Sequence, residues 1–288
     1  MKIGIIGASG FVGQHLYNHF QKSHEVVGTY CNRGVPNLVK LDISDRGAVA
    51  DFFSKYCPNI VLLPAANPNV EWCEEHPAES WRVNVEGIVN VADAARGSRC
   101  KLVYYSTEYV FDGKNGPYSE KDTPNPIGVY GFHKYVAERY VLDILKDSLA
   151  LRTTVIYGWE ETGKNFVERF IKTLGEGKTF NVPIDQISSP THISTLVQAT
   201  EKLLEQDAHG VYNVVGPQVM SRYDFSLEIC DVFGLDKKLV NAVETNKLGQ
   251  KAKRPLNAGL LIDKLVDETG YKPVDPFTGL RLMKEERR

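Results

Sequence analysis

The sequence predicts an α/β protein, a doubly wound parallel sheet joined to a smaller lobe that is discontinuous along the chain. Three observations carry this expectation. Short runs rich in Val, Ile and Leu alternate with longer amphipathic stretches through the first half, as β-α units around a parallel sheet do. A glycine-rich turn follows the first of those runs directly. After residue 155 the alternation stops, and a Gly-rich, Pro-containing region from Gly158 to Pro190 takes over.

In chain order, strands are expected at Lys2–Ile6, Glu25–Thr29, Leu38–Leu41, Ile60–Leu63, Lys101–Ser106 and Leu149–Thr153. Helices fill the gaps: Phe11–Gln21, Asp45–Tyr56 behind a Ser44 cap, Pro77–Ala95 and Gly128–Leu145. Pro77 suits a first helical turn, where a missing N–H leaves nothing unpaired. Beyond residue 155 a helix is expected near Phe166–Leu174. His192–Glu205 and the strand Val211–Val215 then return to the sheet, and Ser221 caps a helix running to Phe233. The expected division is therefore residues 1–155 with 191–215 in one unit and 156–190 with 216–288 in the other. Lys284–Arg288 reads as a solvated tail.

A chain of 288 residues with 42 % hydrophobic content can fill such cores without covalent staples. Its 36 acids and 34 bases nearly cancel, so no field gathers nucleic acid or anionic lipid. Cys31, Cys57, Cys73, Cys100 and Cys230 are odd in number and form no C-x-x-C pair, which fits reduced thiols in the cytoplasm. MKIGIIGASG lacks the apolar core of a signal peptide, and no window has the ~18 apolar residues of a membrane span.

The first strand runs into Gly7-Ala-Ser-Gly10-Phe-Val-Gly13 and then an amphipathic helix. Glycines at such a turn let the backbone approach a pyrophosphate, whose charge rests on the free amides of the helix N-terminus. The placement indicates a dinucleotide-binding fold of the Rossmann type. An acid about 20 residues past the glycines would hold the ribose 2'-hydroxyl of NAD. That stretch is instead Thr29-Tyr-Cys-Asn-Arg33, and Arg33 can pair with a 2'-phosphate, which favours NADPH and leaves NAD as the alternative. Arg33 also reads as an ordinary loop arginine. Asp42 reads either as an adenine contact or as part of the next helix cap.

Tyr130 and Lys134 stand one turn apart on one helix face. A tyrosine titrates near 10, and a neighbouring ammonium would bring its phenol closer to neutrality. Ser106 and Thr107 end the fifth strand, at the sheet edge where such folds bind ligands. His15 and His19 have metal-ligand spacing, but no third ligand is evident and no metal site is expected. His133 reads as a helix surface residue. Tyr104, Tyr105, Tyr109 and Phe111 read as core and cleft wall.

The glycine turn, Tyr105-Ser-Thr-Glu-Tyr-Val-Phe-Asp-Gly113 and Tyr130-Gly-Phe-His-Lys134 together resemble the extended short-chain dehydrogenase/reductase family. Within it the chain is most similar to the dTDP-4-dehydrorhamnose reductase branch. Val83-Asn84, Asp185-Gln-Ile-Ser-Ser-Pro-Thr191 and Arg254-Pro255 carry the resemblance along nearly the whole chain. It implies Thr107 as hydrogen-bond donor to a substrate carbonyl, Tyr130 as proton donor, and Lys134 on the nicotinamide ribose and the tyrosine. Cofactor contacts are implied at Gly7, Ser9, Gly10, Phe11, Val12, Gly13, Arg33, Asp42, Ile43, Ala65, Ala66 and Asn84. Substrate contacts are implied at Asn67, Glu108, Asp185, Gln186 and Arg254, with the alternative that Asn67, Asp185 and Gln186 only structure their loops.

The implied activity is NADPH-dependent reduction of a keto group on a nucleotide-activated deoxysugar in carbohydrate biosynthesis, with a homodimer as the assembly. Related reductases usually carry Asp at the position of Glu108 and Trp-Val-Tyr where this chain has Val155-Ile-Tyr157, so the sugar pocket differs. The alternatives are a sugar-nucleotide epimerase or dehydratase, and a non-catalytic subunit like the regulatory one of methionine adenosyltransferase.

Overall fold

In the computed structural model, which describes residues 1–286, β1 (Lys2–Ile5) leads through the glycine turn into α1 (Phe11–Phe20). β2 (Glu25–Tyr30) and β3 (Val39–Lys40) follow, and α2 (Arg46–Tyr56) returns the chain to β4 (Ile60–Leu63). The cap of α2 is Asp45 rather than Ser44: Asp45 Oδ1 accepts from the Ala48 N–H at 3.0 Å, while the Ser44 hydroxyl is engaged by Asp42.

The helix expected at Pro77–Ala95 is divided. A separate α3 (Val70–Glu75) precedes α4 (Pro77–Trp81), a π turn spans Arg82–Glu86, and α5 (Gly87–Gly97) completes the run. A π turn accommodates one extra residue in a helix. Here it coincides with the inward placement of Asn84, wholly buried, whose amide bonds both the N–H and the carbonyl of Asn67.

β5 (Lys101–Thr107), α6 (Val129–Ile144) and β6 (Leu149–Thr153) close the first half. The chain then leaves the sheet. β7 (Ile156–Tyr157), α7 (Phe166–Gly175), β8 (Phe180–Pro183) and β9 (Ile187–Ser188) belong to a smaller layer, and β10 (Thr191–His192) pairs back on β7. α8 (Ile193–Glu205) and β11 (Gly210–Asn213) rejoin the sheet. The chain leaves once more through β12 (Met220–Ser221), α9 (Arg222–Phe233) and β13 (Val240–Val243); α10 (Asp263–Thr269) returns to α8 and β11 with Leu265 in the sheet-side core, and α11 (Pro276–Glu286) packs on α9. Ser221 caps α9 as expected, accepting from the Asp224 N–H at 3.0 Å.

Among the described residues seven strands form one parallel sheet in the order β11-β6-β5-β4-β1-β2-β3. The winding direction reverses between β1 and β4, the place where such sheets open a crevice at their C-terminal edge. One sheet face packs Ile3, Ile5 and Leu149 against Leu16, Leu196 and Leu203 of α1 and α8. The other packs Val61, Leu63 and Tyr104 against Val49, Ile88, Val91 and Val141. The smaller layer has its own core of Phe170, Phe225, Ile229, Leu280 and Met283.

The tail expected from Lys284 is in part the end of α11. Met283 and Leu280 are wholly buried, and the Lys284 ammonium donates to the Val232 carbonyl at 2.5 Å. Arg287 and Arg288 lie outside the described residues. No described helix is long and apolar enough to cross a membrane.

Candidate active site

The glycine turn is tight because its backbone leaves no room for side chains. Gly7 has φ +98°, and a Cβ on Gly13 would lie 2.1 Å from the Gly7 carbonyl oxygen. The Gly7 N–H donates to Thr29 Oγ1 at 3.1 Å, which ties the turn to β2. Gly10 caps α1 with no side-chain oxygen, and the first turn of α1 holds no acid. Among the described residues no side chain caps these amides, so the cradle fits a pyrophosphate.

A cleft of three adjoining cavities opens from this turn. The central one, about 420 Å³, places Gly7, Gly10, Phe11, Val12 and Gly13 opposite Thr107, Glu108, Tyr130 and Lys134. The second, about 660 Å³, brings together Ser9, Arg33, Asp42, Ile43, Ala65, Ala66 and Asn67. The third, about 730 Å³, is basic: Lys164, Arg169, Arg222 and Arg254 line it with the single carboxylate of Glu71, and Gln186 joins them. Sequence-predicted residues from eight chain segments thus converge on one cleft.

Two do not reach it. Asn84 lies behind the wall, fastening the loop that carries Asn67, because its amide is saturated by backbone and by Ser80. Asp185 accepts from the Thr245 N–H at 3.0 Å and hydroxyl at 2.7 Å, which makes it a loop anchor. Asp42 lines the second cavity while also closing a local turn, its Oδ1 accepting from the Ser44 N–H and hydroxyl.

At the centre, the Thr107 hydroxyl donates to Glu108 Oε2 at 2.8 Å and lies beside the Tyr130 phenol. Ser106, its neighbour, is committed elsewhere: its hydroxyl donates to Glu138 Oε2 at 2.6 Å. The Tyr130 ring meets Tyr109 edge-on at 5.6 Å. The Lys134 ammonium donates to the Tyr105 carbonyl at 2.6 Å and lies 4.1 Å from the centre of the Tyr104 ring.

Electrostatically the centre departs from expectation. Burial, and then the charge of Glu108, push the Tyr130 phenol above its ordinary value instead of below it. Burial brings Lys134 down to about 7, with Glu138 opposing that shift. Glu108 is 7 % exposed and raised by burial, with hydrogen bonds from Thr154 and Thr107 working the other way. The phenol therefore rests in its protonated form, the form a proton donor needs.

Several contributors were missed. Glu138 binds Arg152 through two hydrogen bonds, at 2.6 and 3.1 Å, both residues being almost fully buried. Glu138 lies one turn beyond Lys134, so a spacing signal existed. Thr154, Lys164, Arg169 and Arg222 carried none, since distant segments bring them in. His133, expected on the surface, is 4 % exposed and bonds Ser80 Oγ through Nδ1 at 2.9 Å. His15 meets the Trp159 carbonyl and His19 pairs with Glu201, so the two diverge.

A Rossmann-type sheet with a threonine, tyrosine and lysine facing its glycine turn defines the class of the extended short-chain dehydrogenases/reductases. The chain belongs to the RmlD substrate binding domain family, whose model matches residues 1–286. It is 34 % identical over 285 residues to dTDP-4-dehydrorhamnose reductase of Aggregatibacter actinomycetemcomitans, covering 94 % of each chain. The crystal structure of dTDP-4-dehydrorhamnose reductase from Bacillus anthracis in complex with NADP superposes with a TM-score of 0.91 at 28 % identity, covering 99 % of both chains. Methionine adenosyltransferase 2 subunit beta of Bos taurus is 30 % identical over 286 residues, 96 % of this chain and 84 % of that one.

Proposed function

We propose that this chain is an NADPH-dependent reductase of a keto group on a nucleotide-activated deoxysugar, of the dTDP-4-dehydrorhamnose reductase kind. The observation that carries the reading is the cleft itself, in which Thr107, Tyr130 and Lys134 face the glycine turn and a four-cation cavity adjoins them. Residues 1–155 with 191–215 hold the cofactor, and 156–190 with 216–288 hold the sugar nucleotide. We place the protein in the cytoplasm, with a homodimer as its assembly.

Bound nicotinamide supplies hydride to the carbonyl carbon. The chain's own work is at the oxygen. Thr107 donates a hydrogen bond to it and Tyr130 delivers its phenolic proton as negative charge develops. Lys134, charged below about pH 7 in the free chain, stabilises the phenolate left behind. The glycine turn and the α1 amides hold the pyrophosphate, and Arg33 takes the 2'-phosphate. Arg222, Arg254 and Lys164 draw the diphosphate of the sugar nucleotide to the basic cavity, where Gln186 adds a polar contact.

A mixture of NADPH and dTDP-4-dehydrorhamnose is expected to lose cofactor absorbance in step with product, and Tyr130→Phe is expected to lower kcat by about 10²–10⁴-fold with NADPH affinity retained. Product without NADPH loss would indicate an epimerase or dehydratase. The likeness to the methionine adenosyltransferase subunit keeps a second reading, that of a non-catalytic partner. No turnover on any keto sugar, together with stoichiometric capture of a synthetase, would favour it.

A further inference from the structure

The loop 158–165 follows β7, and its Lys164 lines the cleft. Its shape is set by residues other than Glu161. The Glu160 carboxylate accepts from the N–H groups of Lys164, at 2.9 Å, and Asn165. The Trp159 indole donates to the Met283 carbonyl at 2.6 Å, and the Trp159 carbonyl meets His15. Glu161 reaches outward instead. Its Oε2 accepts from Arg33 Nη2 at 2.6 Å and its Oε1 from Gln14 Nε2 at 3.1 Å. Those two donors belong to the cofactor side, one on the β2–β3 connection and one on α1, while Glu161 belongs to the sugar side. Lys164, on the same loop, lines both the cavity of Arg33 and the basic cavity.

We propose that Glu161 competes with the 2'-phosphate of NADPH for the Arg33 guanidinium, and so helps to set the discrimination between NADPH and NADH. The inference rests on the reading that Arg33 holds that phosphate. A guanidinium receives a carboxylate and a phosphate through the same planar fork, so the two compete for it. NADH brings no phosphate and leaves the pair untouched. The phosphate has the advantage in charge, about −1.5 to −2 against −1. At 47 % and 59 % exposure the Arg33–Glu161 pair is weak enough to yield. Its displacement frees the tip of a loop that also carries Lys164, linking arrival of the cofactor's phosphate to the sugar-nucleotide side.

The test is calorimetric titration with two nucleotide fragments, adenosine 2',5'-bisphosphate and 5'-AMP, on the native chain, Glu161→Gln, Arg33→Gln and the double variant. Both residues are surface-exposed, and the readout needs no turnover. Glu161→Gln is expected to bind the bisphosphate up to about fivefold more tightly, with 5'-AMP unchanged. Arg33→Gln is expected to weaken the bisphosphate and to abolish the gain in the double variant. If Glu161→Gln binds the bisphosphate as the native chain does while Arg33→Gln weakens it, the inference fails and the role of Arg33 stands. If Arg33→Gln has no effect, both fail. An equal gain for both fragments would mean general opening of the cleft and would also overturn the proposal.

Discussion

Lys134 is 3 % exposed, and its ammonium has a carbonyl and an aromatic ring where a surface lysine has water. Burial holds it at about 7, below the ordinary 10.5. Below pH 7 the group is charged in the folded and the unfolded chain alike, and the full cost of burying the charge is present. Between about 7 and 10.5 the unfolded chain binds the extra proton, so this residue's contribution makes stability rise with pH. In the nucleotide-free chain Lys134→Met is therefore expected to raise Tm below pH 7, by an amount that shrinks as the pH approaches 10, and to abolish turnover. Melting curves across that range decide it, and a pH-independent gain would contradict the assignment. The sequence made Tyr130 and Lys134 legible as a pair because one helix presents both. It could not show that the phenol is fully buried, nor that Glu108, held by Thr154 just past β6, sits beside it, and these two effects, burial first, give the tyrosine's shift its upward direction.

At the scale of elements, the run from α3 to α5 shows what periodicity conveys and what it hides. The amphipathic pattern located helix over most of the span. It did not reveal the π turn, because inserting one residue leaves an apolar stripe on either side of the insertion intact in the sequence. The turn coincides with the burial of Asn84 and, through it, the placement of Asn67 and its neighbours Ala65 and Ala66 at the cofactor side of the cleft. Asn84→Ala would leave the N–H of Asn67 without its partner and its carbonyl with the Cys73 thiol alone. The expected result is a loss of about 1–3 kcal/mol in stability. Denaturant titration measures that loss, and a rise in the Kd for NADPH with Arg33 intact would show that the loop, not the phosphate seat, had moved. The glycine turn lies at the opposite extreme. Contiguous residues make it, and it was readable in full.

Across the whole molecule, α11 packs closely at Gly279 on the β7–β10 pair, the two strands through which the chain leaves the sheet after β6 and re-enters it before α8. A Cβ there would fall 2.2 Å from the Tyr157 hydroxyl and 2.9 Å from His192 Cβ. Tyr157 is wholly buried with its hydroxyl donating to the Pro276 carbonyl, so it has little room to yield. Gly279→Ala is expected to cost about 1–3 kcal/mol, read as a lower midpoint in denaturant unfolding followed by both fluorescence and circular dichroism. Coincident shifts in the two signals would show that the lobe and the sheet melt together; separate transitions would show that they do not. The break in alternation after residue 155 falls where the chain leaves the sheet beyond β6. The strand pairs of two to four residues and the seven-residue α10 were not legible, since ladders and helices that short have too few positions to form a pattern.

The order of the sheet also has a bearing on how the chain matures. β6 ends at Thr153, yet the neighbour that covers its outer edge, β11, begins only at Gly210. As the polypeptide emerges during synthesis, Leu149–Thr153 waits with one edge of its backbone open while more than fifty further residues are added, among them α7 with its apolar face of Val167, Phe170 and Leu174. An uncovered parallel edge beside unfinished apolar segments is the form in which chains meet one another before they are complete. The arrangement that inserts residues 154–209 between two neighbouring strands of the sheet thereby leaves an interval, before β11 docks, in which unfinished chains are open to association.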